Sequence, residues 1–428
     1  MSEAIHHANY ADVAAPYGVQ SRARPVNVVG VITCFIVLIV FTQKLAVPLG
    51  SSNRTQVSFA LVFEYIMFAY LIAKGAALIS PKRLVYWAVI AGLSVMMSIG
   101  RTFDDYSPTA LLLFLVILFM YVIVVPLEFD QYKKLMRNFV FLGVVVGGFV
   151  WVDWVTQIAH MGMPNLENVI PKLFLYREYN YLKKMWWGAL QIQPNGIIFL
   201  ESSHLSQFLA MVLVTEIALF QRLRFMFFLG VSLLASFGGT GLLICVVCAP
   251  FLILRVKPVM MVSGLAMLPV VFILALQLNV VDNIARRSGE IGTKNASATI
   301  RFVLPFQASA DAATGPVDKF LFGKGPGMMP KGLSAVASFA WAPWAKLLVE
   351  YGFVIFVPWV IFLCMCLFPK GIPIAICVAG FTQFMFLNGS LGVPLNTIYC
   401  LFLSASYFII PEEKPEESLE APLQPIAG

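Results

Sequence analysis

The chain has 428 residues, of which 60% are hydrophobic and only 12% charged, and its formal net charge is +7. A soluble domain carries about 45–50% apolar and about 25% charged residues, so no single soluble core could hide this excess. No basic stripe interleaved with aromatics accompanies the modest positive charge, which excludes a nucleic-acid partner.

Mean hydropathy is +0.84, and the apolar residues come in long blocks. Blocks of about 20 apolar residues read as membrane-spanning helices. Strand-like alternation is absent, which argues against a membrane barrel. The expected fold is therefore all-α: a polytopic membrane protein with about twelve transmembrane helices.

Residues 1–25 are polar and carry the adjacent His6 and His7. They show no basic segment, short apolar core and cleavage site in series, so they read as a disordered tail rather than a removed signal. Residues 26–410 form the membrane domain. Its predicted spans run from Val26 to Thr42, Val57 to Leu78, Leu84 to Gly100, Pro108 to Val125, Asn138 to Ile158 and His204 to Phe220. They continue from Phe225 to Phe237, Thr240 to Leu254, Val259 to Leu278, Trp344 to Phe368, Ile372 to Asn388 and Val393 to Ile410. The break Gly238-Gly239-Thr240-Gly241 implies irregular backbone, which lipid tolerates only where it lines a cavity. The seven cysteines all fall inside apolar blocks. They read as small packing residues, Cys245 and Cys248 included, and not as a disulfide or metal set.

Orientation follows the distribution of Lys and Arg in short connections. One set holds Arg22, Arg24, Lys82, Arg83, Lys133, Lys134, Arg137, Arg222, Arg224, Arg255, Lys257 and Lys370; the other holds only Lys44, Arg54 and Arg101. The first set is expected in the cytoplasm, with both termini and the acidic, Pro-rich tail 411–428. Two long basic segments, about 159–203 and 279–343, then lie on the opposite, periplasmic side of a bacterial inner membrane. Positive charge there points to an anionic ligand, or to the tolerance that long loops enjoy.

Within the second long segment, Arg301 precedes Leu321-Phe322-Gly323-Lys324-Gly325-Pro326-Gly327, and Trp341-Ala342-Pro343-Trp344-Ala345-Lys346-Leu347-Leu348-Val349-Glu350-Tyr351-Gly352 follows. The first long segment ends in Asn195-Gly196-Ile197-Ile198-Phe199-Leu200-Glu201-Ser202-Ser203-His204-Leu205-Ser206-Gln207. Together these resemble the O-antigen ligase and Wzy-type polysaccharide polymerase superfamily, with its arginine, "GxGPG" turn, "LLxExG" helix and "NGxFLEPSxxSQ" stretch, and most closely the exopolysaccharide polymerases. The likeness spans nearly the whole chain. The sequence departs from it at Trp341 and Ala342, where ligases carry a His-Asn pair, and at Gln193, where the first-loop arginine usually stands.

The resemblance implies glycosyl transfer between undecaprenyl-pyrophosphate-linked oligosaccharides, without a cofactor or metal. Membrane lipids, a flippase and a chain-length co-polymerase are the implied partners. Arg301 is then the residue that meets the leaving diphosphate, since a guanidinium fork stays charged and binds phosphate oxygens in pairs. Glu350 and Glu201 are the carboxylates placed to take the acceptor proton. Arg177, Gln193, His204, Lys324 and the glycines Gly323, Gly325 and Gly327 are candidate substrate contacts, the glycines by bringing backbone amides near phosphate. Blander readings stand beside these: a solvated loop charge for Arg177 and Arg301, an ordinary surface turn for the glycines, an ion pair with Lys346 for Glu350, and interfacial belts for Trp151, Trp154, Trp186, Trp187, Trp341 and Trp344. Competing functions are a lipid-linked sugar transporter or flippase, a polyprenyl-phosphate-sugar glycosyltransferase, and a ligase that moves a finished glycan to another acceptor.

Overall fold

The computed structural model describes residues 26–49, 55–99, 101, 106–164, 166–176, 179, 182, 184–185, 190–253, 255–256, 273, 299, 303–328, 341–389 and 391–408. Both tails, the ninth predicted span (Ile273 excepted), Arg177, Trp186, Trp187 and Arg301 lie outside these residues.

The described chain is mostly helical, with a few short strands. Helix α1 (Val28–Phe41) is capped by Asn27, whose side chain accepts from Gly30 N at 3.0 Å. A hairpin of β1 (Ala46–Leu49) and β2 (Thr55–Ser58) leads into α2 (Phe59–Ala73), capped by Ser58. Then come β3 (Leu78–Ile79), α3 (Pro81–Ser98), α4 (Pro108–Met120) and β4 (Ile123–Leu127). Helix α5 (Phe129–Ile158) starts nine residues before the apolar run. A capping box at Glu128 and Gln131 nucleates it in polar sequence. Its 30 residues span about 45 Å at about 1.5 Å per residue, more than a hydrocarbon core of about 30 Å, so its charged first turns extend past the apolar layer.

After the first long segment come α6 (Ser202–Leu219), α7 (Leu223–Ala235) and α8 (Gly239–Ile253). The second long segment contributes α9 (Leu304–Thr314) and α10 (Val317–Phe322) before α11 (Pro343–Leu367). Helices α12 (Ile374–Leu387) and α13 (Pro394–Ser404) each end in a π-helical stretch. Strand β5 (Ser406–Phe408) closes the described chain. Three helices, α5, α6 and α11, are long and apolar enough to cross a membrane. Helix α6 is the central one: 72% of its apolar window is buried, against 44% for α5 and 50% for α11. It packs on α5, α7, α8 and α12.

Hydrogen bonds among the helix termini sort them into two ends of the bundle. At one, β3, β4 and β5 form a small sheet, antiparallel and then parallel. Arg83, expected among the cytoplasmic loop charges, is buried there: its Nη1 reaches the carbonyls of Tyr121 (3.1 Å) and Ser404 (2.7 Å). The Arg222–Glu216 ion pair, at 2.6 Å, lies at the same end. The other end carries both long segments, because residues 322–327 bond to Arg101 and Ser107, and residues 175–196 bond to Lys44 and Asp153.

The glycine-rich break before α8 turns out to be a packing device rather than a cavity lining. A Cβ on Gly238 or Gly241 would collide with Ser206 of α6, and Thr240 Oγ1 donates to Ser203 O at 3.1 Å. Trp151 and Trp154 also differ from simple belt residues. They donate to Ser232 Oγ (3.1 Å) and Ala235 O (3.0 Å), tying α5 to α7.

Helix α11 is not straight. Gly352 has φ 75° and ψ 173°, which breaks the helix. The turn after α10 docks on this break: Lys324 N donates to Val349 O and Gly325 N to Glu350 O, both at 2.9 Å. Gly323, with φ 72°, and Gly352 lie back to back, and a Cβ on either would strike the backbone of the other. Gly352→Ala is therefore expected to destabilise the protein by about 2 kcal/mol or more, through strain and clash together. Gly92→Ala, on α3 in open space, is the control and should leave the unfolding midpoint in detergent unlowered or slightly raised; equal midpoints for both variants would refute the back-to-back packing.

Candidate functional site

The loop-bearing end of the bundle gathers three groups of polar residues. The first surrounds the α11 break. Glu350 is 2% exposed and sits one residue before Tyr351, whose ring packs 4.4 Å from that of Phe114 on α4. The turn that caps Glu350 O is held from the other side by Arg101, which donates to Phe322 O (2.9 Å) and Gly323 O (3.1 Å). Ser107 N adds a bond to Pro326 O at 2.8 Å. Glu350 is thus level with the end of α3, about two turns into α11 and just before its break. Lys346 makes no ion pair with it; among the described residues the one ion pair is Arg222–Glu216.

These bonds also correct the role expected for the glycine turn. The amides of Gly323, Lys324 and Gly325 donate to Lys319 O, Val349 O and Glu350 O, and Pro326 has none to offer. The amides at 323–325 are committed inside the chain and do not face a phosphate. Gly327, with φ 76°, lets the chain pass Ser107 closely. The Lys324 side chain is exposed.

The second group is the approach to α6. Asp153, fully buried near the end of α5, accepts from Gly196 N at 2.8 Å. Gly196 (φ 61°) and Ile197 (φ 65°) are consecutive left-handed residues. A β-branched residue rarely adopts this conformation, so the turn is strained and held by its surroundings. Asn195 Oδ1 accepts from Ile197 N at 3.0 Å. Gln193, a candidate substrate contact, is 3% exposed and its amide is spent within the chain: it accepts from Ser202 Oγ at 2.7 Å and donates toward Lys184 O and Met185 O at 3.4 Å. Glu201 is partly exposed and accepts from Ser203 Oγ at 3.1 Å. One turn on, the buried His204 ring meets Tyr179 edge-on at 5.4 Å, and Tyr179 meets Tyr176 at 5.3 Å.

The third group lies one more turn along α6. Gln207, Gln383, Asn388 and Asn396 form a buried amide chain across α6, α12 and α13. Gln383 Nε2 donates to Gln207 Oε1 (3.0 Å) and Asn388 Oδ1 (2.6 Å); Asn388 donates to Asn396, and Asn396 Nδ2 to Leu391 O (3.0 Å). This chain fixes the α12–α13 connection, where a Cβ on Gly392 would lie 3.6 Å from Ile117 of α4 and 3.8 Å from the Tyr176 hydroxyl.

The structure therefore brings Glu350, Glu201, His204 and Lys324 to one end of the bundle. The reading from sequence did not assign Asp153, Lys44, the amide chain, Gly352 or Arg101 to a site. A signal existed for several of them, since an acid or amide inside an apolar helix is expensive and marks a cavity, a partner or a site. Chemically, the arrangement offers a partly exposed carboxylate and an imidazole one helical turn apart, a second carboxylate at a helix break, and aromatic rings beside them. No family model matches the chain, and neither a curated protein nor a solved structure matches it.

Lys44, counted in sequence as a loop charge, is 2% exposed. Burial pushes its ammonium down to about 8, against the pull of the Glu167 and Asp153 carboxylates. On unfolding it returns to 10.5. Between these values the unfolded chain holds a proton that the folded chain has lost, so stability rises with pH across that window. The thermal midpoint of the wild type should therefore climb relative to Lys44→Met as pH goes from 8 to 10.5. A constant difference would mean that Lys44 titrates normally.

Proposed function

We propose that the chain is a multi-pass inner-membrane glycosyltransferase. It polymerises undecaprenyl-pyrophosphate-linked oligosaccharide repeat units at the periplasmic face, in exopolysaccharide or O-antigen synthesis. The observation that carries the reading is the meeting, at one end of an apolar helix bundle, of the two segments whose residues resemble the polymerase superfamily. Glu201 and His204 come from one and Glu350 and Lys324 from the other, joined through α4 and Gly392. The scarcity of Lys and Arg in the short connections at that end supports its periplasmic orientation.

In this reading an acceptor hydroxyl attacks the anomeric carbon of the donor glycan. The bond from that carbon to the pyrophosphate oxygen breaks, and undecaprenyl pyrophosphate leaves with the bonding pair. Glu201, the more accessible carboxylate, takes the acceptor proton. Glu350, buried at the break, positions the donor side. Arg301, outside the described residues, is the arginine assigned to the departing charge, because a fixed guanidinium stabilises it where it develops.

One observation favours a rival. Helices α12 and α13 each turn π-helical and meet around a buried amide chain, and irregular helices around buried polar groups are also how transporters build substrate sites. Reconstituted vesicles with a fluorescent lipid-linked oligosaccharide separate the two: chain lengthening without translocation is expected. Glu201→Gln and Arg301→Ala should each lower the rate by about 10²-fold or more with unchanged protein yield, and Arg301→Lys should not restore it. Translocation without lengthening, or full activity in both variants, would remove the polymerase reading.

A further inference from the structure

Arg101 is held in an unusual way. Its Nε donates to Met97 O at 3.0 Å and its Nη2 to Phe322 O and Gly323 O at 2.9 and 3.1 Å. Carbonyls orient a guanidinium without neutralising it. Among the described residues its Nη1 has no hydrogen-bond partner and no carboxylate pairs with it. A partly exposed arginine is thus fixed in place with its full charge and two N–H donors to spare. The exposed Lys324 follows directly on the turn that Arg101 grips.

Below this cationic pair the surface is apolar. Helices α3 and α11 pack on one another. Met96 and Ile99, at the end of α3, are 69% and 74% exposed; Phe353 and Val357, just past the α11 break, are 44% and 37% exposed. Phe320 of α10 stacks on Phe353, with centroids 5.5 Å apart and planes at 22°, so α10 sits at the head of this face. Charge above and a tall apolar strip below is complementary to one class of molecule: an anionic phosphate head carrying a long hydrocarbon tail.

We propose that the α3–α11 face, headed by Arg101 and Lys324, is where the polyprenyl phosphate end of the substrate docks from the membrane. This rests on the polymerase reading and deepens it, since it gives the lipid carrier a place separate from the carboxylates that act on the sugars. The phosphate meets the guanidinium fork through charge-assisted bonds, and the prenyl chain runs along Phe353 and Val357. The α11 break matters here because it leaves the first turns of α11 free to carry Glu350 toward the sugars while the exposed Phe353 and Val357 face the tail.

The test uses the full-length protein in phosphatidylcholine nanodiscs and a long-chain polyprenyl phosphate with a photoreactive diazirine near its head group. Mass spectrometry should find label on residues 96–99 and 353–357. Lys324→Gln, which alters only an exposed side chain, should lower that labelling severalfold, and Arg101→Gln at least tenfold. An equal mole fraction of phosphatidylglycerol should leave the labelling in place; displacement would make this a general anionic-lipid surface and overturn the proposal. A tenfold excess of inorganic pyrophosphate should reduce labelling only partly, because the tail supplies half of the contact. Complete displacement would mean an anion site with no lipid face. Label confined to other apolar surfaces, such as Val155 and Ile158 of α5, would sink the docking face and spare the polymerase reading. Label nowhere above that of a headless prenyl alcohol would sink both.

Discussion

Two glycines with positive φ, Gly323 and Gly352, press their backbones together with no room for a side chain on either. Much of the loop-bearing end is organised by that contact. A helix broken inside apolar surroundings leaves carbonyls without donors, and each orphan costs about 1–3 kcal/mol. Here the amides of Lys324 and Gly325 fill the vacant positions at Val349 and Glu350. The break is thereby stable, and it fixes where the second long segment lands. From that landing point Arg101 and Ser107 tie in the α3–α4 connection. The glycine-rich turn thus joins separate parts of the chain instead of forming a free loop over the membrane.

The same rule, that buried polar groups must be answered from within, accounts for several of the other polar positions. Glu216 is fully buried and answered by Arg222 from the α6–α7 connection. Asp153 is answered by Gly196 N and the nearby Lys44 ammonium. Gln207 and Gln383 answer each other. The Asp153 and Gln207 contacts join elements distant in sequence, so they fix a register between helices that apolar contacts alone leave loose, while Glu216 and Arg222 close the short α6–α7 connection. Between Asp153 and Gln207 lie Glu201 and His204. They sit on a segment clamped at one end by a strained turn and at the other by an amide chain, which is how a short stretch between two helices can hold a fixed geometry.

Hydropathy made the helices legible, because a long apolar run reports the free energy of removing a whole segment from water. Each predicted span apart from the ninth has a helix in the described chain. What hydropathy does not report is which neighbour a residue meets. Lys44 reads as a loop charge, yet it is buried because residues 175–176 pair over it. Gly238 and Gly241 read as irregular backbone, yet they serve close approach to Ser206. The α11 break was invisible because Tyr351-Gly352-Phe353 sits inside one long, mostly apolar stretch that reads as a single span. Only the partner turn, some thirty residues earlier in the chain, makes a positive φ favourable there. The capping box at Glu128 was local and was still missed, since polar residues before an apolar run read naturally as a connection.

The internal use of backbone donors narrows what this end of the protein can do with an anion. A phosphate held by a glycine-rich turn needs amides pointing outward, and at 323–325 they point into α11. Negative charge must then be met by side chains, and side chains differ in how well they hold position. Lys324 is a mobile point charge. Arg101 is braced by three carbonyls, so less of its rotamer freedom remains to be lost when a ligand arrives. That bracing comes from the same turn whose amides complete α11. The glycines therefore act on an anion at one remove: they fix the turn, the turn fixes the guanidinium, and the guanidinium is left with charge that nothing in the described chain neutralises.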